Sequence, residues 1–157
     1  MLKKVLSLLL AVLLSFTFIS CSDEPPVYSH CELTVPLPEN FYEVSDENFD
    51  VSYTDGECVV AILRISHDAA VNEGISNLMS TYEFGQFWLL RCERSANLIN
   101  DGIVYCDYYD GGNYYLEAFY RSKHAYFVVL FATSANKSEM CRSVFIEYAN
   151  GVKIIEE

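Results

Sequence analysis

The sequence predicts an α+β fold: an antiparallel β-sheet covered by helices on both faces, an α/β/α sandwich. Three observations predict it. Between Ile103 and Ala132, short apolar-rich segments are separated by turn residues, the signature of an antiparallel meander. Paired across those turns, the segments are apolar on both faces, and such a sheet needs cover on both sides. Two segments of helical period, one after Ser66 and one before Gly151, can provide that cover.

Taken in order, Leu33, Val35 and Leu37 alternate with polar residues, and Pro36 and Pro38 punctuate them. Proline lacks an N–H for the ladder, so this reads as an edge strand entering the fold. Phe41 to Val44 is a second short strand, broken by Asp46-Glu47-Asn48. Phe49, Val51 and Tyr53 alternate again, and Asp55-Gly56 signals a two-residue hairpin into a strand from Glu57 to Ile65. Ser66 reads as an N-cap with Asp68 in the first turn. Ala70, Val71, Gly74, Ile75, Leu78, Met79 and Tyr82 then recur at helical spacing, predicting one amphipathic helix with this stripe buried.

After Gly85 the predicted strands are Gln86 to Glu93, Ile103 to Tyr109, Tyr114 to Arg121 and Ala125 to Ala132. A two-residue Gly111-Gly112 loop sets Tyr109 opposite Tyr114, Asp107 opposite Leu116 and Tyr105 opposite Ala118. A two-residue Ser122-Lys123 loop sets Tyr120 opposite Ala125, Ala118 opposite Phe127 and Tyr114 opposite Phe131. One face then carries Ile103, Tyr105, Tyr109, Leu116, Phe127, Val129 and Phe131, and the other Val104, Tyr108, Tyr115, Phe119, Val128 and Leu130. A closing helix runs from about Lys137 to Ala149 with Met140, Cys141, Val144, Phe145 and Tyr148 as its stripe. Asn150-Gly151 stops it, and Val152, Ile154 and Ile155 form a last strand or packed tail.

The amino terminus carries a separate signal. Lys3 and Lys4 precede an apolar run from Val5 to Ile19, as in a secretory signal peptide. The run is shorter than the roughly 20 residues that span a bilayer. It ends in Phe18-Ile19-Ser20-Cys21, which resembles the lipobox of bacterial lipoproteins, although Phe18 departs from the usual leucine. The resemblance implies acylation of Cys21. The expected organisation is a signal peptide over 1–20, a tether over 21–30 containing Ser22-Asp23-Glu24-Pro25-Pro26, and a single domain over 31–157. The expected location is the extracytoplasmic face of a cell membrane. Two or three acyl chains would hold it there, since each buried CH₂ contributes about 0.8 kcal/mol.

The formal charge is −12, and losing Lys3 and Lys4 takes it to −14. A strongly acidic chain is not expected to bind nucleic acid or to adhere directly to anionic lipid. Beyond Cys21 stand Cys31, Cys58, Cys92, Cys106 and Cys141. Five is odd, and the expected compartment permits disulfides. Buried free thiols and one disulfide both stay open. No C-x-x-C pair supports zinc or dithiol redox chemistry.

This layout resembles the PsbP-like fold family, which includes extrinsic photosystem subunits and small bacterial lipoproteins. The matching features are the Leu33-to-Phe41 stretch with its Val-Pro-x-Pro, one helix after the first hairpin, the aromatic meander, and a carboxy-terminal helix ending near Gly151-Val152-Lys153-Ile154. The resemblance implies an antiparallel sheet between helices and a binding or assembly role without catalysis. The photosystem members' metal and chloride chemistry does not carry over to any residue here.

No phosphate loop or nucleophile elbow is present, so no catalytic residue and no cofactor is expected. His30, His67 and His124 share no metal-ligand spacing. Asp46, Glu47 and Asp50 lack the ligand order of a calcium loop and read as a solvated turn. Tyr105, Tyr108, Tyr109, Tyr114 and Tyr115 gather around one hairpin. Tyrosine offers contact area with a polar end, so Tyr108, Tyr109, Tyr114 and Tyr115 are the candidate contact surface. Two functions stay open: a membrane-anchored, non-enzymatic lipoprotein that binds a protein partner or supports an envelope assembly, and a small-molecule or metal binder with a pocket between sheet and helix.

Overall fold

The computed structural model describes residues 27–30, 32–94 and 96–155. In chain order the elements are β1 (Val27–His30), β2 (Leu33–Pro36), β3 (Tyr42–Val44), β4 (Val51–Thr54), β5 (Cys58–Ser66), α1 (His67–Asn72) and α2 (Thr81–Arg91). They continue as β6 (Ile99–Asp101), β7 (Ile103–Asp110), β8 (Asn113–Arg121), β9 (Ala125–Ser134), α3 (Ser138–Gly151) and β10 (Lys153–Ile154). Seven strands form an antiparallel sheet in the order β3-β4-β5-β9-β8-β7-β6, and β1-β2-β10 form a second, three-stranded one.

The pleat divides the large sheet's side chains between two cores. One holds Tyr105, Tyr114, Leu116, Phe127, Val129 and Phe131, closed by Phe145 of α3 and by Leu33 and Val35 of β2. The other holds Val104, Phe119, Tyr126 and Val128, closed by Phe84 and Leu89 of α2 and by Ala70 and Ile75. The chain is a mixed α/β fold of antiparallel sheets with few helices. It is more sheet-rich than the expected sandwich: part of the α3 side is covered by the small sheet. Accordingly β2 is not an edge strand; β1 and β10 flank it. Pro36 sits at its last position, where the missing N–H interrupts little.

The helix expected over 70–82 is two pieces. Ser66 caps α1 as expected, its hydroxyl accepting from the Ala69 N–H at 3.1 Å. Gly74 then takes φ +80°. The Ile75 N–H reaches the Ala70 carbonyl at 2.8 Å and the Gly74 N–H the Val71 carbonyl at 3.0 Å, a Schellman stop. The segment to Ser80 is held down by Tyr126, whose hydroxyl lies 2.8 Å from the Ser76 carbonyl and 3.0 Å from that of Met79. Leu78, expected in the buried stripe, is 82% exposed, and Val71 is also exposed. Ser80 and Glu83 form a capping box that starts α2. Gln86 to Arg91, expected as strand, is therefore helical. Its Gly85 lets the helix approach the sheet: a Cβ there would lie 3.1 Å from a Phe119 ring carbon.

The β7–β8 register is as expected, with Tyr109 opposite Tyr114 and Tyr105 opposite Ala118. Gly111 and Gly112, at φ +57° and +83°, supply the left-handed turn. The β8–β9 register is shifted by two residues: Tyr120 faces Phe127, Ala118 faces Val129 and Tyr114 faces Thr133. Here the Ser122 side chain accepts from the His124 and Ala125 N–H groups at 3.1 and 3.0 Å, closing a longer turn. A shift of two keeps every residue on its expected face. Likewise the Asp55 carboxylate takes the Glu57 and Cys58 N–H groups, so Thr54 faces Val59 across a four-residue turn. On α3 the buried positions are Ser138, Cys141, Phe145 and Ala149, whereas Met140 and Val144 are exposed.

Candidate functional site

On the side of the large sheet that carries α1 and α2, the registers generate three rows of side chains. Val104, Phe119, Val128 and Leu63 lie across from one another beneath the helices. The next row is Cys106, Glu117, Leu130 and Ala61. The third is Tyr108, Tyr115, Ala132 and Val59. That third row is only partly covered: Val59 is exposed and Tyr108, Tyr115 and Ala132 are half-buried. What remains is an open groove of about 660 Å³. Its floor is Val59, Ala61, Leu130, Ala132 and Tyr115, its rim includes Phe49 and Asn113, and the Glu57–Lys137 ion pair at 2.7 Å stands at one side.

The middle row holds the least expected residue. Glu117 is 3% exposed, between Leu116 and Ala118 in the middle of β8. Its Oε1 accepts from the Tyr108 hydroxyl at 2.8 Å and forms an ion pair with Arg94 Nη2 at 3.4 Å. The Arg94 guanidinium lies 4.5 Å above the Tyr108 ring, a cation–π contact. Burial raises the Glu117 pKa above the usual carboxylate range, while Tyr108 and Arg94 oppose that rise. Burial also pushes the Tyr108 hydroxyl up, as does Glu117. The Cys106 thiol is pushed up to about 12, burial first and Glu117 second. Glu117 Oε2 and Trp88 Nε1 lack partners within hydrogen-bond geometry. The arrangement fixes Tyr108, and Tyr108 stacks on Tyr115 at 5.3 Å. Tyr115, which lines the groove, is thereby backed by a Tyr108 that is itself held in place.

The four tyrosines expected to share a contact surface are thus split by the pleat. Tyr115 lines the groove, and Tyr108 stacks behind it. Tyr109 and Tyr114 point to the α3 side. Tyr114 is 1% exposed and stacks with Phe145, and its hydroxyl donates to Asp107, which also pairs with Arg142 at 2.7 Å. It is a core residue, so Tyr114 leaves the candidate surface. Tyr109 is 64% exposed, with its hydroxyl 3.0 Å from that of Ser138. Sequence reasoning missed Glu117 and Arg94. A lone carboxylate between Leu116 and Ala118, on a face that needs cover, was the available signal.

Asp46 and Asp50 do not converge: Asp46 takes the Asn48 N–H and Asp50 that of Arg64. Among the described residues no three His, Cys, Asp or Glu side chains gather as a metal site requires, and no helix is long and apolar enough to cross a membrane. Residues 1–20, Cys21 and Cys31 fall outside the described residues.

The fold is PsbP-like. The solution structure of cyanobacterial PsbP (CyanoP) from Synechocystis sp. PCC 6803 superposes with a TM-score of 0.58 over 86% of this chain and 95% of that one, at 16% identity. A crystal structure from Bacteroides thetaiotaomicron VPI-5482 covers 85% of this chain and 50% of its own, at 12% identity and a TM-score of 0.48. No protein-family model matches the chain, and neither does any curated protein.

Proposed function

We propose that this chain is a non-enzymatic binding protein, held on the extracytoplasmic face of a membrane by a lipid at Cys21, and that the open groove is its contact surface for a protein partner. The α3 side of the sheet then serves stability, and the half-covered α2 side is the working face. The observation that carries this reading is the incompletely covered apolar floor: Val59 remains 36% exposed in the interior strand β5, beside half-buried Leu130 and Ala132. Folding alone would favour covering it, since burial stabilises by about 25 cal/mol per Å² of apolar surface. Tyr115 is held by its stack on Tyr108 before any ligand arrives, which lowers the ordering cost of association. The anchor reading rests on the run ending in Ile19-Ser20-Cys21. A small-molecule ligand in the same groove is the second reading, favoured by its volume, which lies in the range of ligand pockets.

Photo-crosslinking residues placed at Val59 and Ala132 test the surface in intact cells, with Met140 on the outer side of α3 as control. Adducts of one defined mass are expected from the groove positions and not from Met140, and they should disappear when Val59→Lys is combined with the Ala132 probe. Equal adducts from Met140, or none from the groove, refute the protein-binding reading. Mass spectrometry of the mature amino terminus tests the anchor; an unmodified cysteine, or Cys21→Ser still sedimenting with membranes, refutes it.

A further inference from the structure

Cys58 opens β5, in the hairpin that forms one side of the groove, and Cys141 lies in the first turn of α3. Their sulfurs are 4.0 Å apart although the residues are 83 positions apart in sequence. Among the described cysteines this is the one sulfur–sulfur contact; Cys92 and Cys106 have none. We propose that Cys58 and Cys141 are joined by a disulfide that ties α3 to the groove-forming hairpin. The inference rests on the extracytoplasmic reading for its oxidant and deepens the reading of the groove.

Closing the sulfurs from 4.0 Å to about 2.05 Å requires the two side chains to approach by roughly 2 Å. The surroundings are braced around the pair. Lys137, just before α3, pairs with Glu57, and the Thr133 hydroxyl donates to the Glu57 carbonyl at 3.3 Å. The groove rim thus already links β5, β9 and the start of α3 by polar contacts. A covalent bond between the neighbouring residues 58 and 141 would make that link permanent.

The oxidant is a disulfide, RSSR, either a small molecule such as oxidised glutathione or a protein thiol oxidase. The thiolate of Cys58, the more exposed of the two, attacks RSSR and releases RS⁻. The Cys141 thiolate attacks the Cys58 sulfur of the mixed disulfide and releases the second RS⁻. Each RS⁻ takes up a proton lost by a cysteine. Two cysteine thiols are oxidised and RSSR is reduced to two RSH. In the folded chain burial pushes the Cys58 thiol up to about 11, which leaves little thiolate. Exchange at Cys58 is therefore slow in the folded chain.

The test uses the intact protein in two samples: one purified directly from cells, the other reduced, unfolded and refolded in a glutathione redox buffer. Both are alkylated in denaturant without reductant, digested and mass-measured. The expected result is a linked pair of peptides containing Cys58 and Cys141 that reductant splits, with Cys92 and Cys106 alkylated. Reductant should also lower the melting temperature by on the order of 10 °C, but leave that of the Cys58→Ser, Cys141→Ser double variant unmoved. Alkylation of both cysteines in the glutathione sample, or their linkage to other cysteines, overturns the proposal. Linkage with glutathione but alkylation in the cell-derived sample upholds the pair and overturns the extracytoplasmic reading instead.

Discussion

Replacing Phe84 by alanine tests whether α2, rather than the Leu78 segment, is the helix that closes the second core. Phe84 is fully buried. Its ring stacks on Tyr126 at 4.4 Å and meets Phe119 edge-on at 6.1 Å. Truncating a buried phenylalanine costs about 3–5 kcal/mol. Aromatic pairs contribute about 0.5–1.5 kcal/mol beyond area burial, which places Phe84→Ala in the upper half of that range. Domain stabilities are on the order of 5–15 kcal/mol, so the variant should remain folded but lose a large share of its margin. Leu78→Ala, at an 82% exposed position, should change stability by less than about 0.5 kcal/mol. Guanidinium unfolding followed by far-ultraviolet circular dichroism measures both. The Trp88 signal is less suitable, because that ring lies 6.2 Å from Phe84. The m-value should be unchanged. Comparable midpoint shifts for the two variants would refute the reasoning and return Leu78 to the core.

Glu117→Gln should stabilise the protein relative to wild type as pH rises. Because the folded-state pKa of Glu117 is raised, its favourable contribution is complete below the unfolded value of about 4.3 and is lost as pH climbs through the folded value. The stability difference between variant and wild type should therefore widen over that window in a series of denaturant titrations, and a constant difference would contradict the burial of a charge. Gly151→Ala should lower the melting temperature despite alanine's better helix propensity of about 1 kcal/mol. Its Cβ would lie 2.5 Å from Cγ of Pro36, and a pyrrolidine ring yields little. An unchanged or raised melting temperature would show that β2 and α3 separate freely.

Where local chemistry dictated geometry, the fold was legible in the sequence. Gly111-Gly112 admits a left-handed two-residue turn, and the β7–β8 register followed from it. Ser66 announced α1. At Ser122 the local signal was incomplete, because a side chain closed a longer turn and moved the register by two while sparing the faces. The break at Gly74 was concealed by an apolar pattern that ran on through Leu78 and Met79. The capping box of Ser80 and Glu83 was present in the sequence, but the following Phe87-Trp88-Leu89-Leu90 favours strand. Packing of Phe84 against Tyr126 and Phe119, which local pattern does not encode, accompanies the helical outcome there. The candidate site was legible in part. Tyrosine density pointed to the right hairpin, but only the pleat separates Tyr115 in the groove from Tyr114 in the core. Arg94 reaches Glu117 from a loop, and no spacing rule connects them.

The large sheet tapers at both margins. Its central strands β8 and β9 run nine and ten residues, whereas the outermost, β3 and β6, have three each. Those margins carry Glu43 and Asp101. An outermost strand offers unpaired amides to any neighbouring chain, and short, charged ones offer few and repel the approach. Copies tethered side by side in two dimensions would collide far more often than copies free in solution. A chain of this design can then be crowded on a surface without zipping into continuous intermolecular sheet.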